Sequence, residues 1–106
     1  MINIEKLKLE IIEKLKPLKL DKIILFGSYA YGTPNENSDI DLFLVKDIES
    51  KNYRKFKLEA RRSVRDLISS YKVGFDFIVA SDKFLQTRKD YFYRVDILQN
   101  GKVIYE

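Results

Sequence analysis

The chain has 106 residues, 45% of them apolar, a net charge of +4, and neither histidine nor cysteine. A chain of 106 residues is expected to form one domain, 1–106, burying roughly 65% of its unfolded surface. The missing histidines exclude imidazole bases, zinc–histidine sites and Ser-His-Asp triads, and the missing cysteines exclude disulfides and thiol chemistry, which suits a reducing, cytoplasmic compartment.

At the N-terminus, Lys and Glu alternate with Leu and Ile, so no secretory signal is expected there. No apolar run approaches the length of a membrane span. Residues 3–16 predict a helix, because Ile4, Leu7, Ile11, Leu15 and then Leu18 recur at spacings of three and four, and Pro17 ends it. That stripe reads as core.

The stretch from Lys22 to Lys46, KIILFGSYAYGTPNENSDIDLFLVK, carries the chemistry. A first strand over Lys22–Phe26 stops at Gly27-Ser28. A short helix over Ser28–Tyr31 is predicted next, with Ser28 as its N-cap and free N–H groups facing whatever lies above, a suitable place for a phosphate. Gly32 to Asn37 is loop chemistry. A second strand follows over about Ile40–Lys46. Residues i and i+2 of a strand share a face, so Asp39 and Asp41 present two carboxylates together while Ile40, Leu42 and Leu44 point the other way. At about 5 Å and an effective dielectric of about 20, their repulsion is roughly 3 kcal/mol. A divalent cation with a taste for hard oxygen ligands, such as Mg²⁺, turns that repulsion into attraction. The spacing of Gly27 and Gly32 suggests a P-loop, but Thr33 and Pro34 stand where Lys and Ser/Thr belong, so that motif is rejected.

Residues 50–70 predict the longest helix, with an apolar stripe of Tyr53, Phe56, Ala60, Val64, Leu67 and Tyr71. Beside it runs a basic face of Arg54, Lys57, Arg61 and Arg65, flanked by Lys51, Lys55 and Arg62. Residues 1–50 carry 7 basic and 9 acidic side chains, net −2, and residues 51–106 carry 13 and 7, net +6. The face is either a solvated surface or a patch for nucleic acid or an acidic partner. A third strand is expected over Val73–Ala80. Asp76 is its lone charge, either exposed at an edge, paired with Arg61 or Lys72, or bound to a metal. A short turn over Lys83–Gln86 and a last helix over about Lys89–Gln99 follow, the latter with Phe92, Val95 and Leu98 on one face. Asn100-Gly101 should stop it as a left-handed cap. Lys102–Tyr105 reads as a short edge strand. Tyr91, Phe92 and Tyr93 are core with a wet ring edge, or a platform for a nucleotide base.

Gly27-Ser28, ten intervening residues, then Asp39-x-Asp41, each set against an apolar strand and accompanied by Ala30, Gly32 and Ser38, closely resembles the signature of nucleotidyltransferases of the DNA polymerase β superfamily. The short chain resembles the minimal nucleotidyltransferase branch, many of whose members are antitoxins paired with a HEPN-domain toxin. The likeness is strongest over Lys22–Val79, and Tyr31 departs from it, because many relatives carry Arg there. It implies an α/β fold, a single small domain with a mixed sheet of three to four strands flanked by about four helices. It further implies Asp39, Asp41 and Asp76 as catalytic residues and metal ligands for two Mg²⁺ ions, with Asp76 helping to deprotonate the acceptor hydroxyl. Gly27 and Ser28 would hold the phosphates of ATP.

The expected activity is therefore transfer of AMP to a hydroxyl of a protein partner, a HEPN-type toxin. Two rivals stand beside it: a non-catalytic antitoxin acting by occlusion, and a nucleic-acid-binding module using the basic helix 50–70.

Overall fold

The computed structural model describes residues 2–106. Four strands form one mixed sheet in the order β3-β2-β1-β4, with β1 at Lys22–Phe26, β2 at Ile40–Val45, β3 at Phe75–Ala80 and β4 at Lys102–Tyr105. β1 is antiparallel to both β2 and β4, whereas β2 and β3 run parallel. Helices cover both faces, which explains why the central strands read as continuous apolar runs rather than alternating ones.

One face carries Ile23 and Leu25 of β1, Ile40, Leu42 and Leu44 of β2, and Phe75, Phe77 and Val79 of β3. It packs against α1 (Ile4–Leu15), α3 (Tyr53–Ser63) and α4 (Arg65–Tyr71). α1 starts at Asn3, whose side chain accepts from the Lys6 N–H, and it buries Leu7, Ile11 and Leu15 as the spacing predicted. Pro17 then falls in a 3₁₀ turn over Lys16–Leu18, where its missing N–H costs no helical hydrogen bond. The opposite face carries Ile24, Phe26, Phe43, Val45 and Ala80. It packs against α5 (Asp82–Thr87) and a π-helix over Phe92–Gln99. Fully buried Phe43 lies at the centre of this layer with Tyr93 edge-on at 6.1 Å.

Three local expectations are corrected. The single helix over 50–70 is a 3₁₀ turn at Ser50–Asn52 followed by α3 and α4, broken at Val64. Ser63 donates its hydroxyl to the Glu59 carbonyl, a back-bond that bends helices, and the bend keeps Val64 and Leu67 buried. Next, the last helix winds as a π-helix. Its i to i+5 spacing sets Ile97 beneath the same layer as Phe92, while Leu98, expected on the core face, is 39% exposed. Finally, Gly101 does not adopt a positive φ. It is needed for room, because a Cβ there would overlap the Ile97 carbonyl and the Ile24 side chain.

Candidate active site

The site is built where β1 ends and β2 begins. Gly27 leaves β1 with φ 76° and ψ −162°, a region essentially reserved for glycine. The chain then enters α2 (Ser28–Tyr31), with the Ala30 and Tyr31 N–H groups donating to the Gly27 carbonyl. Gly27, not Ser28, is thus the N-cap, and no side chain caps this helix. The Ser28 hydroxyl is left half-buried with no protein partner among the described residues. The loop that follows is held by the Asn35 N–H donating to Ser38 Oγ at 2.9 Å and the Asn37 N–H donating to Asn35 Oδ1 at 2.8 Å, so Ser38 fixes the approach to Asp39.

Asp41 is the hub. It lies opposite Phe26 of β1 on one side and opposite Asp76 of β3 on the other. A Cβ on Gly27 would overlap Asp41 Oδ2, so a bare α-carbon is what lets this carboxylate reach the end of β1. Asp39 leans the other way. A Cβ on Gly74 would meet Asp39 Oδ1 at 2.6 Å, and the Ile40 N–H is held by the Gly74 carbonyl. Asp76 stands exposed on the outermost strand. Among the described residues it makes no ion pair. Arg61, weighed as its partner, donates instead to the Phe75 carbonyl at 3.0 Å and covers the Phe77 ring. Lys72 ends α4 in the left-handed conformation and lines a separate cavity with Tyr71 and Val73.

The electrostatics record the convergence. The Asp41 carboxyl is pushed up to about 6 from 3.8, first by burial, then by the charges of Asp76 and Asp39, and by a hydrogen bond shared with Asp76. Parallel pairing of β2 and β3 brings residue 76 beside residue 41. No group of three or more acids among the described residues converges as a closed metal cage. The close pair is Asp41 with Asp76, and Asp39 adds its charge from over Gly74. Anionic oxygens repelling one another at a partly open surface are the donor chemistry a hard divalent cation prefers.

Two features of the site had weak sequence signals. Gly74 gives Asp39 its space, and its only sign was a glycine inside the strand expected over Val73–Ala80, whereas β3 starts one residue after it, at Phe75. Tyr31, the departure from the family pattern, donates its hydroxyl to the Asp96 carbonyl at 3.3 Å and ties α2 to the π-helix. Burial, followed by the nearby Asp96 charge, raises the Tyr31 hydroxyl above its usual pKa. In the aromatic cluster, Phe92 packs edge-on against Phe26 and Tyr93 against Phe43 and Phe84. They serve as core, leaving Tyr91 alone, 73% exposed, as a surface ring. Among the described residues, no helix is long and apolar enough to cross a membrane.

The profile of the nucleotidyltransferase domain family matches residues 4–103. Three relatives from Methanocaldococcus jannaschii, each named "Putative protein adenylyltransferase", were found. One is 32% identical over 98% of this chain and 100% of its own length, and another is 34% identical over 92% and 89%. Among solved structures, a toxin–antitoxin with AMP-PNP superposes with a TM-score of 0.61 at 24% identity, covering 92% of this chain and 72% of that one. A mutant of the toxin–antitoxin MntA-HpeT gives 0.59 at 20% identity, covering 92% and 71%. At these identities the likeness to the solved structures is one of fold.

Proposed function

Because the chain belongs to the nucleotidyltransferase domain family, we propose that it moves AMP from ATP to a hydroxyl on a protein partner, with Asp39, Asp41 and Asp76 as the reacting acids. The observation that carries this reading is the convergence of three acids: Asp41 over Gly27 and opposite Asp76 of β3, with Asp39 over Gly74; the Asp41 carboxyl is raised there by burial and then by its two acidic neighbours. Such mutual repulsion on adjacent strands is unfavourable for the fold by itself. It becomes useful once positive charge and a triphosphate occupy the site.

In this reading Asp39 and Asp41 would hold Mg²⁺, and Asp76 would help to hold a second ion. When bound, the metal withdraws charge from the phosphates and lowers the pKa of the acceptor hydroxyl. Gly27 keeps the end of β1 open to the phosphates, and the Ser28 hydroxyl, without a protein partner, donates to a phosphate oxygen. Asp76, exposed at the sheet edge, accepts the acceptor's proton. The hydroxyl oxygen bonds to the α-phosphorus, the bond to the β-phosphate oxygen breaks, and pyrophosphate leaves in line.

The adenylyl group and the protein acceptor are supported by the names of the relatives. A toxin partner, of HEPN type, and an antitoxin role are supported by the toxin–antitoxin fold likeness and the resemblance of the sequence signature. The test is intact-mass spectrometry of the co-expressed pair. Partner mass should rise by whole AMP units with the wild-type chain and not with Asp39→Ala. A partner that stays unmodified yet bound and neutralised would overturn catalysis and leave occlusion.

A further inference from the structure

The outer edge of β3 is open in its middle and closed at both ends. The Ile40 N–H donates to the Gly74 carbonyl and the Lys46 N–H to the Ala80 carbonyl. Backbone groups of a parallel strand alternate sides, so even-numbered residues of β3 bond β2 while Phe75, Phe77 and Val79 turn theirs outward. α3 closes the two ends of that row. Arg61 donates to the Phe75 carbonyl at 3.0 Å, and the Ser81 N–H donates to the Tyr53 hydroxyl at 3.2 Å. Between them the N–H and C=O of Phe77 and Val79 have no protein partner among the described residues. A cavity of about 400 Å³ lies against this window, with Phe77 as floor and Arg54, Lys57 and Leu58 along its wall. Arg54 and Lys57 make no ion pair among the described residues, and Leu58 is 50% exposed.

We propose that this window is a docking groove for a short, extended, acidic segment of a partner protein, added to β3 as a fifth strand. Free backbone donors and acceptors at a sheet edge recognise a strand. Arg54 and Lys57 select carboxylate side chains on it. The occupant is not a second copy of this chain, because edge-to-edge pairing would set two basic α3 faces against each other. The aromatic floor is unsuited to stacking a nucleic-acid base: Phe77 is buried and already covered by Arg61. Asp76 adjoins Phe77, so a segment seated here delivers its neighbouring residues beside the candidate catalytic acids. That last consequence, and only that, rests on the proposed transferase reading.

The test uses the full chain and a fluorescein-labelled peptide of alternating Glu and Val, with a Lys–Val peptide and a single-stranded RNA as comparators. Binding is read by anisotropy and by backbone amide shifts. The acidic peptide should bind, the basic one should not, and the Phe77 and Val79 amides should shift most. Arg54→Glu with Lys57→Glu should weaken binding about tenfold or more, and added salt should weaken it in the wild type. Val79→Pro removes an outward N–H without touching the β2 ladder and should abolish binding. Should that variant fail to fold, the charge-reversed pair decides. Peptide binding without shifts at Phe77 and Val79, or preferential binding of the RNA at Arg54 and Lys57, would overturn the proposal. ATP with Mg²⁺ is titrated separately, with shifts read at Gly27 and Ser28. A chain that responds to nucleotide but not to peptide refutes the groove alone, and the converse refutes the transferase reading alone.

Discussion

Replacing Asp41 by Asn should stabilise the metal-free protein near neutral pH. The Asp41 carboxyl is raised from 3.8 to about 6 by burial and by its acidic neighbours. The native state therefore holds its proton in a window where the unfolded chain has lost it. Between pH 3.8 and about 6 the native state binds more protons, so stability falls as pH rises and the full penalty is present above the folded value. A gap of that size corresponds to about 3 kcal/mol. Asp41 is only partly buried, and solvent screening reduces the figure to about 1–2 kcal/mol. Asn fits the same space against Gly27, carries no charge, and offers an N–H to Asp76. Urea unfolding in EDTA is the assay. At pH 7 the midpoint of Asp41→Asn should exceed wild type by about 0.5–1 M, from a slope near 2 kcal/mol/M for a chain this small. The difference should shrink to nothing as pH falls below 4. Equal midpoints at pH 7, or a difference that does not change from pH 4 to 7, would refute the account of the site as a strained carboxylate cluster.

Mg²⁺ should raise the melting temperature of the wild type, with a gain of about 2.7 kcal/mol at one hundred times its dissociation constant; Asp41→Asn should lose most of that response, and a wild-type melt indifferent to Mg²⁺ counts against the site. Gly27→Ala should cost about 1–3 kcal/mol for its backbone conformation alone and should displace Asp41 as well, so a calorimetric melt that matches wild type contradicts the close packing. Ser28→Ala should leave the melt within about 0.5 kcal/mol of wild type, because the side chain caps nothing, yet weaken nucleotide binding by titration calorimetry; unchanged affinity would reduce Gly27-Ser28 to a structural turn. Phe43→Ala should destabilise by about 3–5 kcal/mol as measured in urea, since it removes the centre of the layer that carries the π-helix.

The sequence by itself settled what local physics settles. Gly27 at the end of an apolar run, and Asp39 and Asp41 at the start of the next, could be placed on strand, turn and strand because glycine tolerance and the two-residue period act over a few residues. The α1 stripe and the four strands were legible for the same reason, and so was a mixed α/β fold once the signature was added. Other features depended on packing. Asp76 could have been an exposed edge charge, an ion-pair partner or a metal ligand, and it is exposed at an edge and beside Asp41 at once. The parallel register of β2 and β3 that brings the two together joins residues 35 positions apart, and no local pattern encodes it. Burial is the first cause of the raised Asp41 carboxyl, and that register adds the charge and hydrogen bond of Asp76. Gly74 mattered only after Asp39 leaned over it. The break at Val64, the π-winding beneath Phe43 and the compact seat of Gly101 against Ile24 are each a helix or turn yielding to the sheet it covers. Local propensity sets elements to within about 1 kcal/mol per residue, whereas a buried side chain in the right place contributes about 1.5–3 kcal/mol, so packing overrules periodicity wherever the two disagree.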